Sequence, residues 1–470
     1  MRMRRLTLAF AAVTAAGASQ AAGLSPYLPL NLSPEIEWQV ERLLVLADEP
    51  VLTRPIRAAT VMRALDKGCT SDPALCQRVR RYLARYMNGA GLTHASAEIA
   101  AAKDADVTLA NARGAKASSN YNGSIAAYFQ PTPYAIASVG ALAYEDDIQP
   151  EGTYLSAGLD VMRVDIGYRP HWLSPMQNSS MLWSTQAPTI PSVTLSNDVP
   201  LTSWGFNYEM FVGQLSHSDH IAYQGAYTSG KPSVVGMHLS LRPLEWVSLG
   251  FNRSMQFGGG ARGGKSVKDI FKAFFDPSGS DNSREDLTTD EEFGNQMASF
   301  TVRMTLPEPF PMALYGEYAG EDTSRGQNWR LGNGALSLGV HLPELPGDLD
   351  LVYEFNQWQN GWYVHHIYQD GFANDGHVVG HWFGDMGIKG EPGSAHSLRL
   401  NQEIYPGHLL TVGLSLIDFE ENGNAQYEQG WRVNGRYSRV FSNFLGGVEV
   451  ALGRTPTDVD YSQFSLFVRW

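Results

Sequence analysis

The sequence lacks the long apolar run that a membrane helix requires. After the N-terminus no stretch approaches the ~18 consecutive apolar residues needed to span a bilayer, and mean hydropathy is −0.23. A helical membrane protein is thereby excluded. A β-barrel is not, because its strands hide their apolar face in alternation and read as polar as a soluble chain. Cysteine is scarce as well, with only Cys69 and Cys76, and no further ligands stand near them to complete a metal centre. Basic residues are outnumbered: 35 Lys and Arg face 48 Asp and Glu, a formal charge of −13. That balance speaks against nucleic acid as a partner.

What is present favours one large barrel over two or three soluble domains in the 470 residues. The 47 Gly suit tight strand turns, and the 11 Trp, 21 Tyr and 20 Phe suit interfacial girdles. Arg2, Arg4 and Arg5 precede an apolar run from Leu6 to Ala18 and a small-x-small site at Ser19-Gln20-Ala21. Residues 1–21 therefore read as an export signal. Its removal takes the formal charge from −13 to −16. In an oxidising compartment Cys69 and Cys76, close in sequence, are expected to pair in one disulfide.

Residues 22–92 read as a periplasmic helical module. Ser33-Pro34-Glu35 supplies an N-cap, a first-turn proline and an early acid, and Ile36, Val40, Leu43 and Leu44 follow at helical spacing. A second helix is expected from Thr53. A third is expected from Asp72-Pro73, with Leu75, Val79, Leu83 and Tyr86 as its stripe. The module either docks a partner or packs under the barrel. Residues 93–104 read as a linker, and from 105 to 470 the period is 2, giving an all-antiparallel transmembrane β-barrel of about 18 strands.

The last ten residues, Tyr461 to Trp470, set sidedness. Phe464, Leu466, Val468 and Trp470 share one face and Ser465 and Arg469 the other, with Phe467 breaking the pattern. Such a strand looks like the closing strand of an outer-membrane barrel, ending at the periplasmic face. Parity then puts the short connections near 131–133, 243–245, 306–311, 342–348 and 404–407 in the periplasm. The long ones, about 170–202, 254–296, 321–334 and 357–393, fall outside. Arg163, Asp165, Arg303, Glu317, Asp350, Glu354, Arg399, Arg432, Arg436 and Glu449 point into the lumen in this register. Their mixed signs suit pairing across a filled interior more than a channel selective for one ion class.

Two outer loops invite a recognition reading. Residues 167–197 are rich in Trp, Ser, Asn, Gln and Pro and nearly free of charge. The loop 357–393 carries Trp358, Trp362, Tyr363, His365, His366, Tyr368 and Asp370, with Asp375, His377, His381, Trp382 and Asp385 further on. Aromatic faces stack on sugar rings while carboxylate and imidazole groups bond sugar hydroxyls; packing of these residues into the barrel mouth is the alternative. His365 and His366 are adjacent and cannot both face one ion from a regular strand, so no metal is expected. Ser216-His217-x-Asp219-His220 has the residue types of a hydrolase, but parity assigns it to a periplasmic turn, and no catalytic residue is expected.

Several stretches resemble the capsule-assembly Wzi family of outer-membrane proteins. They are Trp172-x-Ser-Pro, Ser179-Ser180, Ala187-Pro188-x-x-Pro191 and Leu195-Ser196; Leu241-Arg242-Pro243 through Phe251-x-Arg253-x-Met255-Gln256-Phe257-Gly258-Gly259-Gly260; Tyr318-x-Gly320-Glu321-Asp322; and His365-His366-Ile367-Tyr368-x-Asp370-Gly371. The resemblance covers most of the barrel. The departures are an acidic insert, Ser278 to Glu292, and a helix-like Lys265 to Phe275.

The resemblance implies a non-enzymatic surface lectin in the outer membrane of a Gram-negative bacterium. It would be a monomer without a cofactor that holds capsular polysaccharide on the cell. Trp172, Trp358, Trp362, Tyr363, His365, His366, Tyr368 and Asp370 are then the expected polysaccharide contacts. Outer-membrane lipid would surround the wall, and residues 30–90 are the expected surface for periplasmic or capsule-export components. A channel for sugars or small anions and a rim-site hydrolase stand as the alternatives.

Overall fold

The computed structural model describes residues 23–103, 106–145, 147–277, 288–321, 323–324, 327–387, 389–420 and 427–470. The expected export signal, residues 1–21, and residues 278–287 of the acidic insert lie outside the described residues.

Three helices come first: α1 (Pro34–Leu46), α2 (Ala58–Gly68) and α3 (Pro73–Leu83). Val40, Leu43, Leu44, Val61, Leu75 and Val79 form their shared buried core, and a Cys69–Cys76 disulfide closes the turn between α2 and α3. Asp72 caps α3, accepting from Leu75 N. Ser33 stands at the α1 N-cap without capping it; its hydroxyl bonds His94 Nδ1 at 2.8 Å instead. The second helix begins at Ala58, later than Thr53, because Pro55 disfavours helical backbone at Arg54, which lies extended and pairs with Trp172.

The wall follows. Its first half is β1 (Ala90–Lys103), β2 (Tyr121–Thr132), β3 (Ala135–Tyr144), β4 (Tyr154–Leu159), β5 (Met162–Gly167), β6 (Ser192–Ser196), β7 (Asn207–Gln214), β8 (Ser233–Leu244) and β9 (Val247–Phe257). Its second half is β10 (Gly294–Leu306), β11 (Met312–Glu321), β12 (Ala335–Leu345), β13 (Leu349–Trp358), β14 (Gly393–Tyr405), β15 (His408–Phe419), β16 (Gly430–Val440), β17 (Leu445–Arg454) and β18 (Asp460–Arg469). The short strand Asp147–Gln149 shares the fourth position with β4, both pairing with β3, so nineteen strands of one sheet fill 18 wall positions. Antiparallel pairing of β18 with β1, from Ser96 opposite Arg469 to Lys103 opposite Ser462, closes the barrel. Closure leaves no open edge, as a lipid-facing sheet requires.

The structure differs from the sequence reading at the barrel's start. Residues 93–103, read as a linker, belong to β1, so the wall begins ahead of residue 105. Alternation is real there, with Ala97, Ile99 and Ala101 exposed outward, but alanine gives too little hydropathy contrast to reveal it.

Elsewhere alternation sorts the two faces as expected. Phe464, Leu466 and Val468 lie outward and are 42–50% exposed, whereas Ser465 and Phe467 are 2% and 3% exposed. Phe467 breaks the pattern because the inner face has a seat for it. The Arg469 guanidinium lies 3.9 Å from its ring centroid, and on β17 a Cβ at Gly447 would come within 2.5 Å of the ring. Phe300, Leu338, Val433, Val450 and Leu452 join the outward apolar belt, which marks the wall as a membrane face. Arg163, Asp165, Arg303, Glu317, Asp350 and Glu354 are buried inside.

The connections sort by end. Short turns at 133–134, 245–246, 307–311, 346–348 and 406–407 share the periplasmic end with the helices, while 168–191, 215–232 and the described residues of 258–293, 322–334 and 359–392 lie at the outer end. The expected outer loop 170–202 is cut by β6, whose crossing returns the chain to the periplasmic end at 197–206. The lumen is filled from both ends. From below, Glu41 on α1 pairs with Arg54 at 2.6 Å and with Arg303 of β10 at 2.9 Å, and Glu35 pairs with Arg469 of β18 at 2.5 Å. From above, loop 168–191 descends until Glu354 accepts from Gln177 N and Asn178 N at 2.6 and 3.0 Å. Buried pairs of this kind fix position more than they add stability.

Candidate functional site at the outer mouth

Three outer loops are sewn together over the plug. Ser218–Tyr223 and Ala226–Gly230 form a small hairpin outside the wall, turned at Gln224 and Gly225, both with positive φ (51° and 72°). The hairpin pairs with loop 359–392: Ala222 N donates to Ile367 O at 2.8 Å and Gln369 N to His220 O at 3.1 Å. Loop 258–293 joins through Arg262, whose guanidinium donates to the carbonyls of Ala222, Thr289 and Glu292 at 3.3, 2.7 and 2.8 Å. Ile221, Ile367 and Tyr368 are the apolar knot beneath.

This hairpin corrects the sequence reading of Ser216-His217-x-Asp219-His220. A periplasmic position requires the residues after His220 to cross the membrane, and they fold back outside instead. The unrecognised β6 supplies the missing crossing, so the strand total stands while the Ser216–His220 segment moves to the cell surface.

Beside the hairpin opens a cavity of about 420 Å³, lined by polar groups of Ser216, His217, Ser218, Gln256, Gln369, Asp370 and Lys389. Asp370 accepts from Ser218 Oγ at 2.6 Å and pairs with His220 Nδ1 at 3.1 Å, while its own side chain stays 51% exposed. Partial burial opposes its charge, but the Ser218 and His220 hydrogen bonds prevail and hold the carboxyl below its ordinary range. Gln256 Nε2 reaches Gly371 O at 3.4 Å and its Oε1 is a buried acceptor with no partner. A buried acceptor on a cavity wall is suited to a hydroxyl-bearing ligand. Ser218 and His220 bind the same carboxylate, whereas a nucleophile relay needs the imidazole between serine and acid.

The expected contacts divide sharply. Trp172, Trp358, Trp362, Tyr363 and Tyr368 are at most 1% exposed, their faces covered by protein. Trp358 stacks on Phe383 at 3.8 Å and 4°. Tyr363 Oη donates to Met181 O at 2.6 Å and accepts from His381 N at 2.7 Å, tying loop 359–392 to the plug. Trp172 Nε1 donates to Met176 O at 3.0 Å deep in the lumen. His365 is 9% exposed, and burial, with His366 and Arg262 beside it, pushes its pKa down to about 3. His366 and Asp370 are the two of the eight that face water. Among the described residues Glu292, His365 and His366 form the group whose candidate ligand atoms, one from each, lie within 4.8 Å of one another. Gln256, Gln369, Lys389 and the Ser216–His220 segment were not among the expected contacts; the segment carried a sequence signal in its Ser, His and Asp content, and Gln256 stands in one of the stretches that resemble the family.

A family model described as capsule assembly protein Wzi matches residues 88–455. A protein of the cps region of Klebsiella pneumoniae, uncharacterized and of 55.8 kDa, is 27% identical over 169 residues, which is 34% of this chain and 31% of that relative's length. The solved structure of Wzi from Escherichia coli, described as an outer-membrane protein involved in group 1 capsule assembly and a carbohydrate-binding β-barrel, superposes with a TM-score of 0.68. That match covers 92% of this chain and 97% of the solved one at 16% identity.

Proposed function

The chain belongs to the capsule assembly protein Wzi family, and on that premise we propose that it is a non-enzymatic outer-membrane protein that binds capsular polysaccharide and holds it at the cell surface. The observation that carries this reading is the polar cavity at the outer mouth of a filled barrel, where Ser218, Gln256, Gln369 and Asp370 offer hydroxyl-bonding groups to the exterior. Carbohydrate binding by the solved Escherichia coli relative supports it. Of the eight expected contacts, Asp370 and His366 keep the role of direct ligands. The six others hold the loops that present them. The helical module, tied by Glu35, Glu41 and Arg42 to barrel residues, serves as a base for the plug.

Retention of capsule on cells tests the reading. Deleting the chain should shift capsular polysaccharide from the cell fraction to the medium, and the wild-type chain should restore it. A His217→Ala/Asp370→Asn variant at equal barrel abundance should not. Capsule retained in full by the deletion strain would overturn the proposal.

A further inference from the structure

Glu292, His365 and His366 meet where loops 258–293 and 359–392 join, and each can turn one ligand atom toward a common point, all within 4.8 Å of one another. We propose that these three side chains form a divalent transition-metal site, with zinc the ion that fits best, clamping the two outer loops together. The inference does not rest on the glycan reading: it shares His366 with it, while Glu292 and His365 belong to the metal group alone.

The backbone makes the convergence possible. Two adjacent histidines on a regular strand would point to opposite faces. Here the segment is a loop, and the two rings stack with centroids 4.3 Å apart at 30°. Glu292 arrives from the other loop, its carboxylate 2.7 Å from His366 Nε2. Glu292 and His365 are shielded, at 6% and 9% exposure, while His366 opens to solvent. The group thus has a dry side, where attraction between an ion and the carboxylate is little screened, and a wet side through which an ion can enter.

Two imidazoles and one carboxylate, with a fourth position left for water, are a donor set that zinc takes in tetrahedral geometry. Bonds of about 2.0–2.1 Å place such donors about 3.3–3.5 Å apart, so a span of up to 4.8 Å closes by at most about 1.5 Å. Metal binding requires neutral imidazoles and an ionised carboxylate, so any proton these groups carry is released to solvent. The long hydrogen bond from Ile367 N to His365 Nδ1, 3.2 Å, yields when the imidazole takes the ion. The neighbouring cations are already directed elsewhere: Arg262 to the carbonyls of Ala222, Thr289 and Glu292, and Lys265 to the Glu292 carbonyl at 3.2 Å.

Position gives the site a purpose. His365 and His366 lie five and four residues before Asp370, on the segment whose Tyr368, Gln369 and Asp370 line the outer cavity. A metal clamp there fixes the cavity wall without touching the cavity.

The test is calorimetric titration of zinc chloride into the chelator-treated, detergent-purified full chain. One zinc per chain is expected, with at least tenfold weaker binding in His366→Ala and in Glu292→Gln and unchanged binding in His217→Ala. Substitution by cobalt(II) should give the visible absorption of a tetrahedral N/O site in wild type and not in His366→Ala. Because His366 is exposed, that variant keeps the barrel, which heat-modified gel mobility verifies. Equal zinc affinity in wild type and His366→Ala, or no zinc bound by folded wild type, would overturn the proposal.

Discussion

Arg54 and Trp172 exchange two backbone hydrogen bonds inside the barrel, at 3.0 and 3.1 Å, although Arg54 belongs to the N-terminal module and Trp172 to an outer loop. The Arg54 guanidinium extends the junction, donating to Ser174 O and Met176 O at 3.1 and 3.0 Å. The plug from above and the base from below therefore touch at mid-lumen. A purified chain in a planar bilayer should pass no steady current. Shortening residues 173–184 to a glycine linker, which removes the plug, should open one. A steady open state in wild type would favour the channel alternative.

Glu41 bridges Arg54 and Arg303. Burial raises the cost of its charge, yet the two arginines prevail and bring its pKa from 4.5 to about 2. The folded-state value lies below the unfolded one, so the contribution to stability is complete above pH 4.5 and is lost as pH falls toward 2. Glu41→Gln should lower stability by about 3–5 kcal/mol, since it leaves two buried cations under-compensated. It should also flatten acid sensitivity between pH 4.5 and 2, as read from urea unfolding at a series of pH values. A variant as acid-sensitive as wild type would remove Glu41 from that role.

Trp362 and Tyr363 are 0% exposed. Truncating such a ring costs about 3–5 kcal/mol, and the loss should stay local to the plug because the wall is held by its own ladder. Trp362→Ala should speed amide exchange in 168–191 and 359–392 and leave the strands protected. Tyr363→Phe, which loses only the bonds to Met181 O and His381 N, should do the same more weakly. Unchanged loop exchange in Trp362→Ala would contradict the pillar role.

Much of the fold was legible because a barrel is written in period 2. The inward charges Arg163, Asp165, Arg303, Glu317, Asp350 and Glu354 came from alternation alone, and burial places them inside. Strand β6 was missed because Ser192–Ser196 is five residues long and sits behind Pro188 and Pro191 in a loop-like context. The hairpin after Ser218 was open to the opposite error, since local alternation cannot say whether a strand crosses or folds back. The site was harder still. Asp370 lies 150 residues from His220, and no local pattern encodes their 3.1 Å contact. Aromatic content signalled the loop but not that its rings face the plug; an aromatic that binds and one that supports look alike in sequence.

The most direct measurement is surface plasmon resonance of the purified barrel against the host's own capsular polysaccharide. Saturable binding is expected, weakened at least tenfold in His217→Ala/Asp370→Asn and unchanged by substitutions in the periplasmic turn at 346–348. No saturable binding by folded wild-type protein would contradict the central claim.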